Sequence, residues 1–248
     1  MNKRTIKYQN FKIHYFNYTT LIKILSNRIV SNRKISISYL NPFVFNLLNN
    51  NLLYANMQKI NLIYPDGIGM YYLAKLLGIK VTYKNRINAT DFNTLLIESA
   101  AKYRWGISLY GGGRESIGLL KSNISVNYKG LIINEIFDRF EDANEVIKKI
   151  NISDSKILFV GLGTPTQEEF IVKNRDLIKT PVIIGVGSFF EFLSGYYKRA
   201  PLWMRKIGLE WLFRLIIEPR RLWKRYIIGI PLFIFRIIAL KLKTNEKL

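Results

Sequence analysis

Apolar runs that alternate with helix-period segments constrain the fold of this chain more than any other sequence feature. Six short runs rich in β-branched and aromatic residues predict strands at 34–40, 61–64, 107–110, 131–137, 156–160 and 181–186. Amphipathic segments between them predict helices at 42–59, 68–77, 91–103, 142–150 and 166–178. Residues 11–16 predict a short edge element or hairpin. This alternation indicates an α/β fold with a mostly parallel sheet that helices cover.

Glycine turns follow four of the predicted strands and open the next segment. They contain Asp66 and Gly67, Gly111 and Gly112, Gly161, Gly163 and Thr164, and Gly187. In a parallel sheet such turns gather at the carboxyl edge, where ligands bind. Glycine lets the backbone approach a ligand, and helix N-termini offer N–H groups to phosphate. Each turn alone is equally consistent with a tight turn, but four at one edge favour a nucleotide or sugar-phosphate pocket. The dinucleotide fingerprint is absent because Thr166 occupies the third glycine position.

Asp66 is the sharpest candidate for chemistry. It ends a strand, precedes a turn glycine, and is the first acidic residue of the chain. Its carboxylate could accept a proton from a sugar hydroxyl, and the alternative is a turn or capping aspartate. Arg86 lies before a predicted helix and could reach an anionic oxygen with its fork of donors. Asp91 or Thr90 could cap that helix.

Two further segments contain candidate ligand contacts. Gln167 lies at a predicted helix start and could hydrogen-bond a base, a sugar or a phosphate, and the alternative is an exposed first-turn amide. Glu168 and Glu169 suit the helix N-terminus electrostatically. Glu191 follows two phenylalanines; it could bind ligand hydroxyls or pair with an arginine of the C-terminal segment.

The composition excludes several kinds of site. The chain has no cysteine, which excludes disulfides, thiolate metal sites and a cysteine nucleophile. Its one histidine, His14, excludes a zinc site of several histidines and leaves a serine-protease triad dependent on that residue. There is no Asp-x-Asp pair to hold a divalent ion. We therefore expect no metal cofactor.

Positive charge is concentrated near the C-terminus. The net charge is +21, and residues 195–248 carry almost half of it, whereas residues 66–194 are nearly neutral. This shift predicts a domain at 1–194 and an appendage at 195–248.

In the appendage, arginines are interleaved with aromatic residues, which is typical of an interfacial amphipathic helix on an anionic membrane. Nucleic acid is the rival partner, and a core-packed terminal helix is the plain alternative. The apolar run at 227–240 favours the membrane, but it is too short to span a bilayer. No secretory signal is predicted at 1–10.

Seven ordered segments together resemble one known family. They are 40–42, 65–69, 86–92, 110–112, 161–168, 185–187, and 198–201 through 218–221. In these segments the chain is similar to the WecG/TagA/CpsF family of bacterial glycosyltransferases, glycosyltransferase family 26. The resemblance extends from about residue 38 to residue 226.

The resemblance implies a Rossmann-like α/β domain, with helices on both faces of the sheet and a basic helical appendage that binds membrane. It implies an inverting enzyme that moves a sugar from a nucleotide sugar, usually UDP-linked, to a polyprenyl-diphosphate-linked acceptor. The reaction would occur at the cytoplasmic membrane face, in teichoic-acid, capsule or other surface-polysaccharide synthesis. The expected partners are the two substrates and the membrane, with a homo-oligomer possible and no nucleic acid.

The resemblance also implies roles for individual residues. Asp66 would be the general base, and Arg86 and Gln167 would belong to the pocket. Other substrate contacts would be Tyr39, Asn41, Gly67, Asn88, Asp91, Gly111, Gly112, Gly161, Gly163, Thr164, Gly187 and Glu191. Contacts to the lipid diphosphate or membrane would be Arg199, Arg205, Arg214, Arg220, Arg221, Lys224 and Arg225.

Departures from the family pattern at Tyr39, Glu191 and the residues after Arg86 leave the donor sugar open. N-acetylmannosamine, a related hexose and a uronic acid are all candidates. Outside this reaction, a nucleic-acid-binding protein with a basic tail and a soluble nucleotide-sugar epimerase or dehydrogenase are the alternatives. The missing third glycine weighs against the second of these.

Overall fold

A single sheet forms the centre of the computed structural model, which describes residues 5–8 and 10–245. Within that part of the chain the strands are β1 Thr5–Tyr8, β2 Phe11–His14, β3 Ile35–Leu40, β4 Leu62–Pro65, β5 Ile107–Gly111, β6 Ile133–Phe137, β7 Ile157–Gly161 and β8 Val182–Gly185. Their order across the sheet is β1-β2-β4-β3-β8-β7-β5-β6. The β1–β2 pair is antiparallel, and every other neighbouring pair is parallel. The mostly parallel sheet and its edge hairpin are therefore confirmed.

Helices follow nearly every strand. They are α1 Tyr18–Val30, α2 Pro42–Leu47, α3 Asn51–Lys59, α4 Ile68–Leu76, α5 Ala89–Tyr103, α6 Arg114–Asn127, α7 Ala143–Ile152, α8 Thr166–Asn174, α9 Phe189–Leu193, α10 Leu202–Ile207, α11 Glu210–Ile217, α12 Pro219–Trp223 and α13 Gly229–Asn245. A 3₁₀ turn at Tyr83–Asn85 and a π-helical turn at Lys224–Ile228 complete the secondary structure of the described residues.

Alternate side chains of the strands pack on opposite faces of the sheet. On β5, Ile107 and Leu109 enter one core and Tyr110 enters another. Helices α1, α5, α6 and α9 cover the first face, and α2, α3, α4, α7, α8 and α13 cover the second. Because both faces are covered, the strands are apolar almost throughout, as buried parallel strands are. The predicted Rossmann-like α/β class is confirmed.

The helices that follow β5 and β7 leave toward opposite faces of the sheet. Helix α6 packs on the first face and α8 on the second, so a crevice opens between the carboxyl ends of these strands. Here Gly111 has a φ of +132°, and a Cβ at this position would collide with the backbone of Gly161. The two glycine turns can therefore lie against each other only without side chains.

One helical prediction needs correction, and two helices were not predicted. Residues 42–59 form two helices, because Asn50 accepts hydrogen bonds from the N–H groups of Leu52 and Leu53 and starts α3. Helices α1 and α6 were missed. The polar and small residues of α6, such as Ser116, Gly118 and Ser122, weaken its helical pattern, and packing against the sheet supplies the stability instead.

The last helix packs against the body of the fold. Phe233 and Ile237 of α13 are buried, and the Phe233 ring meets that of Phe45 in α2 edge-on at 5.4 Å. Arg236, which interrupts the apolar run, donates to the Asn46 carbonyl at 2.6 Å and so satisfies an orphan acceptor at the end of α2. Among residues 5–8 and 10–245, no helix has both the length and the apolar character of a membrane span. The boundary at 194/195 stays a prediction.

Candidate active site

Asp66 lies directly after β4, between the N-termini of two helices. Its Oδ1 accepts from the Ala89 N–H at the start of α5 at 2.8 Å, and its Oδ2 accepts from Asn41 Nδ2 at 3.2 Å. Asn41 is itself the N-cap of α2. Burial raises the pKa of the Asp66 carboxyl, and these two hydrogen bonds oppose the shift in part. The carboxylate is thus oriented, and its proton affinity is increased, as a general base requires.

A cavity of about 480 Å³ opens on Asp66. Charged and polar side chains form part of its lining: Asn41, Arg86, Asn88, Glu210, Arg214 and Arg225. The remaining wall is apolar and comes from α2, α4, α11 and α13: Phe43, Ile68, Trp211, Ile230, Phe233, Ile234 and Ile237. The cavity therefore combines charged and apolar side chains, and residues 208–237 supply much of both.

Arg214 and Arg225 line this cavity, and each has a guanidinium donor without a hydrogen-bond partner among the described residues. Arg214 lies over the Phe192 ring at 5.0 Å, and Arg225 lies over the Phe43 ring at 4.4 Å. Within the described residues, Nε and Nη2 of Arg214 and Nε of Arg225 are buried without a hydrogen-bond partner. Burial also lowers the pKa of Arg225. Unsatisfied buried cationic donors are costly, so both side chains suit an anionic ligand.

The other basic residues of the predicted lipid-binding set lie elsewhere. Arg199 and Arg205 form ion pairs with Asp91, at 2.9 and 2.7 Å. Arg221 pairs with Glu218 at 2.6 Å. Arg220 and Lys224 are exposed on the appendage surface. The structure thus separates two cavity-facing arginines from a set that the sequence presents as equivalent.

Gln167 is fully buried, so the exposed first-turn alternative is wrong. Its Oε1 accepts from the Gly187 N–H at 2.9 Å, and its Nε2 donates to Glu168 Oε1 at 2.6 Å. Glu168, also fully buried, accepts from Ser38 Oγ at 2.8 Å. The network ties the turn after β8 to the start of α8. The structure therefore makes Gln167 a support for the Gly187 turn.

Tyr39 fills the space beside the same turn. A Cβ on Gly187 would collide with the Tyr39 hydroxyl, and Gly187 has a φ of +56°. Burial raises the pKa of Tyr39 to about 12, so its hydroxyl is a neutral donor at physiological pH. Thr164 lies close by and accepts a long hydrogen bond of 3.4 Å from Gln167. These residues form the middle of the carboxyl edge.

Glu191 lies at a second cavity, of about 630 Å³, at the ends of β5 and β6. It pairs with Arg139 at 3.6 Å rather than with an arginine of the appendage. Its Oε2 is buried without a partner among the described residues, and burial raises the pKa of its carboxyl. Arg139, whose Nε donates to the Gly112 carbonyl at 3.1 Å, was missed. Its position just after the predicted strand at 131–137 could have identified it as a residue of the carboxyl edge.

The segment from Arg86 to Asp91 contacts the appendage. The Arg86 guanidinium donates to the carbonyls of Arg205 and Lys206, the latter at 2.6 Å, and to the Tyr83 hydroxyl. Asn88 caps α5 by accepting from the Asp91 N–H at 3.1 Å, so the prediction of Asp91 or Thr90 as the cap is wrong. The pocket roles predicted for Arg86, Asn88 and Asp91 stay predictions.

Comparison with known proteins gives a consistent result. The family model described as "Glycosyl transferase WecG/TagA/CpsF family" matches residues 6–247. The chain is 34% identical over 235 residues to the N-acetylglucosaminyldiphosphoundecaprenol N-acetyl-beta-D-mannosaminyltransferase of Bacillus subtilis (strain 168), covering 93% of this chain and 89% of that protein. A protein of the same name from Bacillus spizizenii is 32% identical over 200 residues, covering 80% and 76%. Another from Staphylococcus aureus (strain NCTC 8325 / PS 47) is 25% identical over 240 residues, covering 93% and 92%.

Proposed function

The chain belongs to the WecG/TagA/CpsF family of glycosyl transferases, and from this premise we propose that it transfers a sugar from a UDP-sugar to a polyprenyl-diphosphate-linked acceptor. The observation that carries this proposal is the cavity at Asp66, where two uncommitted arginines adjoin an apolar wall. The arginines suit the acceptor diphosphate, and the wall of α13 suits the first isoprene units. The relatives act, by their names, on an undecaprenyl-diphosphate-linked N-acetylglucosamine.

The donor is proposed to lie along the carboxyl edge of the sheet. Its nucleoside fits the cavity of Glu191 and Arg139, where a partnerless carboxylate oxygen can accept from ribose hydroxyls. From there the edge runs past the glycine turns to Asp66. Neighbouring strands are about 4.8 Å apart, so the four steps from β5 to β4 span about 19 Å, a distance that an extended nucleotide sugar can bridge.

The proposed reaction is a single displacement. Asp66 accepts the proton of the acceptor hydroxyl, whose oxygen bonds to the anomeric carbon as the bond from that carbon to the diphosphate oxygen breaks. Attack from the face opposite the leaving group inverts the anomeric configuration. Helix N-termini at the glycine turns stabilise the departing diphosphate, and the positive charge of Arg86, which lines the Asp66 cavity, does the same. Gln167 holds the Gly187 turn beside the donor.

Transfer of radiolabelled sugar to a short polyprenyl-diphosphate-linked N-acetylglucosamine tests the proposal. We expect label in the lipid with one donor of a UDP-sugar panel, and UDP-N-acetylmannosamine is the first to try because of the relatives' names. Related UDP-hexoses and UDP-uronic acids complete the panel. The described residues contain no group of three or more histidines and acids suited to a metal. Metal independence stays a prediction, and we expect transfer to survive EDTA.

If no UDP-sugar of the panel is transferred, the binding of UDP is measured next. Calorimetric binding of UDP without transfer would point to a different acceptor glycan. No UDP binding, together with salt-sensitive binding to DNA or RNA, would instead support the nucleic-acid alternative. Chemical crosslinking of the same preparation would test the expected oligomer.

The appendage is proposed to hold the enzyme on the cytoplasmic face of the membrane. Large apolar side chains are exposed along it: Leu202, Trp203, Ile207, Ile216, Ile217, Trp223, Ile227, Ile228, Ile234, Phe235, Ile238 and Leu242. The exposed cations Lys206, Arg220 and Lys224 lie in the same segment. Inserting such side chains into the headgroup region while cations meet anionic lipid is how monotopic helices bind.

Vesicle sedimentation checks this membrane role. The double variant Trp203→Ser, Phe235→Ser removes side chains that are 61% and 71% exposed. Each buried aromatic side chain contributes about 1.5–3 kcal/mol, so partitioning onto anionic vesicles should fall by at least about tenfold. The matched control is Val30→Ser, Ile152→Ser, whose side chains are 81% and 84% exposed on the body of the fold. Equal partitioning of both variants and the wild type would contradict the assignment.

A further inference from the structure

Asp91 binds two arginines of the appendage through one oxygen. Its Oδ1 accepts from Arg199 Nη2 at 2.9 Å and from Arg205 Nη1 at 2.7 Å. The three side chains are about one-quarter to one-third exposed. Asp91 belongs to the first turn of α5, whereas the arginines lie just before and within α10. The group, here named the clasp, therefore joins the body of the fold to the start of the appendage.

Neighbouring residues extend the same junction. Asn88 Nδ2 donates to Glu210 Oε2 at 2.5 Å, and Glu210 Oε1 lies 3.5 Å from Arg199 Nε. Arg86 donates to the Lys206 carbonyl at 2.6 Å. Three residues of the 86–91 segment thus hold α10 and the first residue of α11. Since Asn88 already caps α5, the Asp91 carboxylate is not needed as a cap, and its bonds go to the appendage.

This junction between α5 and the appendage lies close to Asp66. Ala89, whose N–H binds Asp66, is two residues from Asp91 and next to Asn88. Glu210 and Arg214 are four residues apart on α11, so they share one face of that helix, and both line the Asp66 cavity. Anchoring Glu210 to the start of α5 therefore sets the position of Arg214 relative to Asp66.

From this geometry we infer that Asp91 is a positioning residue for the transfer reaction: through the clasp with Arg199 and Arg205 it docks α10 and α11 so that Arg214 lines the Asp66 cavity, and it does not contact the donor. The inference rests on the proposed acceptor site in the Asp66 cavity. It assigns Arg199 and Arg205 to docking, not to the lipid diphosphate. Without the Asp91 charge, Arg205 would lose its carboxylate partner and Arg199 would keep only Glu210 at 3.5 Å, so the docking of α10 would weaken.

A double-mutant cycle on the full-length enzyme tests the clasp. The variants are Asp91→Asn, Arg205→Gln and the double variant, with Glu98→Gln, an exposed acid on the same helix, as the matched control. We expect Asp91→Asn to raise the KM for the lipid acceptor about tenfold and to leave UDP affinity within about twofold. The double variant should be hardly worse than the single ones, because the pair acts as a unit.

Limited trypsin digestion supplies a readout that needs no substrate. Release of α10 from the body of the fold makes the peptide bonds after the lysines and arginines of residues 198–225 more accessible to trypsin. Asp91→Asn and Arg205→Gln should therefore be cut in this range at least about fivefold faster than wild type and the Glu98→Gln control. Thermal unfolding identifies a variant that is globally unstable, in which case the remaining clasp variant decides. Unchanged cleavage together with weakened UDP binding would overturn the inference and make Asp91 a donor contact. If the wild type transfers no sugar, the proposed function fails, yet the digestion still tests the docking.

Discussion

Replacing Asp66 by asparagine is expected to lower kcat for sugar transfer about 10²- to 10⁴-fold, the usual contribution of a general base. Asparagine retains the size of the side chain, and its Oδ1 can still accept from the Ala89 N–H that now holds Asp66 at 2.8 Å. It cannot accept a proton from the acceptor hydroxyl. Binding of UDP should stay within about twofold of wild type, because Asp66 is placed at the acceptor end of the site. Steady-state transfer and calorimetry measure the two quantities.

The same variant should retain the stability of the fold. Burial raises the folded-state pKa of Asp66 above its value in the unfolded chain. Keeping the carboxylate ionised therefore costs folding free energy at pH values above the unfolded pKa. Asparagine removes this cost, but it also removes the acceptor for Asn41 Nδ2, because an amide NH₂ group then replaces Oδ2. We expect a Tm near that of wild type at pH 7, whereas a large decrease would indicate a structural role for the carboxylate.

The raised pKa also predicts the sign of the pH dependence. A base works only when it is ionised, so kcat/KM should fall as the pH falls through the pKa of Asp66. This acid limb should lie above the ordinary aspartate value of about 3.9. The control Asp176→Asn, whose side chain is 89% exposed, should keep the wild-type profile. Wild-type kcat in Asp66→Asn would remove the general-base role.

Replacing both Arg214 and Arg225 by glutamine is expected to have the second-largest effect. Both side chains line the Asp66 cavity and have buried donors without a partner among the described residues, and a hydrogen bond to a charged group contributes about 1.5–3 kcal/mol. Each single variant should therefore raise the acceptor KM roughly 10- to 100-fold, and the double variant should exceed either. Because the cavity of Glu191 and Arg139 is separate, UDP affinity should change little. Kinetics with detergent-solubilised acceptor separate these effects from membrane binding.

Arg220→Gln is the matched control for this pair. Arg220 lies in the same segment but is exposed, so in detergent its acceptor KM should equal that of wild type. On vesicles it should show only the loss of about 1 kcal/mol of surface attraction. An unchanged acceptor KM in the Arg214/Arg225 double variant would place the lipid diphosphate elsewhere.

Much of the fold was predictable because its signals are local. Apolar runs mark β3, β4, β5, β7 and β8 within a few residues, and glycine marks the turns that follow them. Asp66 could be singled out for the same reason: a carboxylate after a buried strand reaches the carboxyl edge in any parallel sheet. Helix α6 was missed because its small and polar residues weaken its helical pattern. Helix α1 was overlooked although its signals are local: Asn17 caps it, and its buried residues Leu21, Leu25 and Ile29 are four residues apart.

The site beyond Asp66 depended on contacts between distant parts of the chain. Gln167 and Asp91 both lie in segments that carry the family resemblance. In the structure Gln167 is buried beneath the Gly187 turn, whereas Asp91 binds two arginines more than a hundred residues away in the sequence. Glu191 forms an ion pair with Arg139, which lies just after β6 in a segment that contains no motif. Pairings of this kind depend on strand order, and the order β4-β3-β8-β7-β5-β6 cannot be read from local periodicity.

The sequence by itself determined the α/β class, the glycine turns at the carboxyl edge of the sheet, and the basic character of the C-terminal segment. These follow from periodicity, glycine conformation and charge, which act over a few residues. Only the tertiary structure decided which arginines face the cavity. Arg199, Arg205, Arg214 and Arg225 are chemically alike, but packing of α10, α11 and the π-helical turn at Lys224–Ile228 places carboxylates beside the first two. Among the described residues no carboxylate forms an ion pair with the last two. A charge pattern states how many cations a segment has, whereas folding decides which of them are already neutralised.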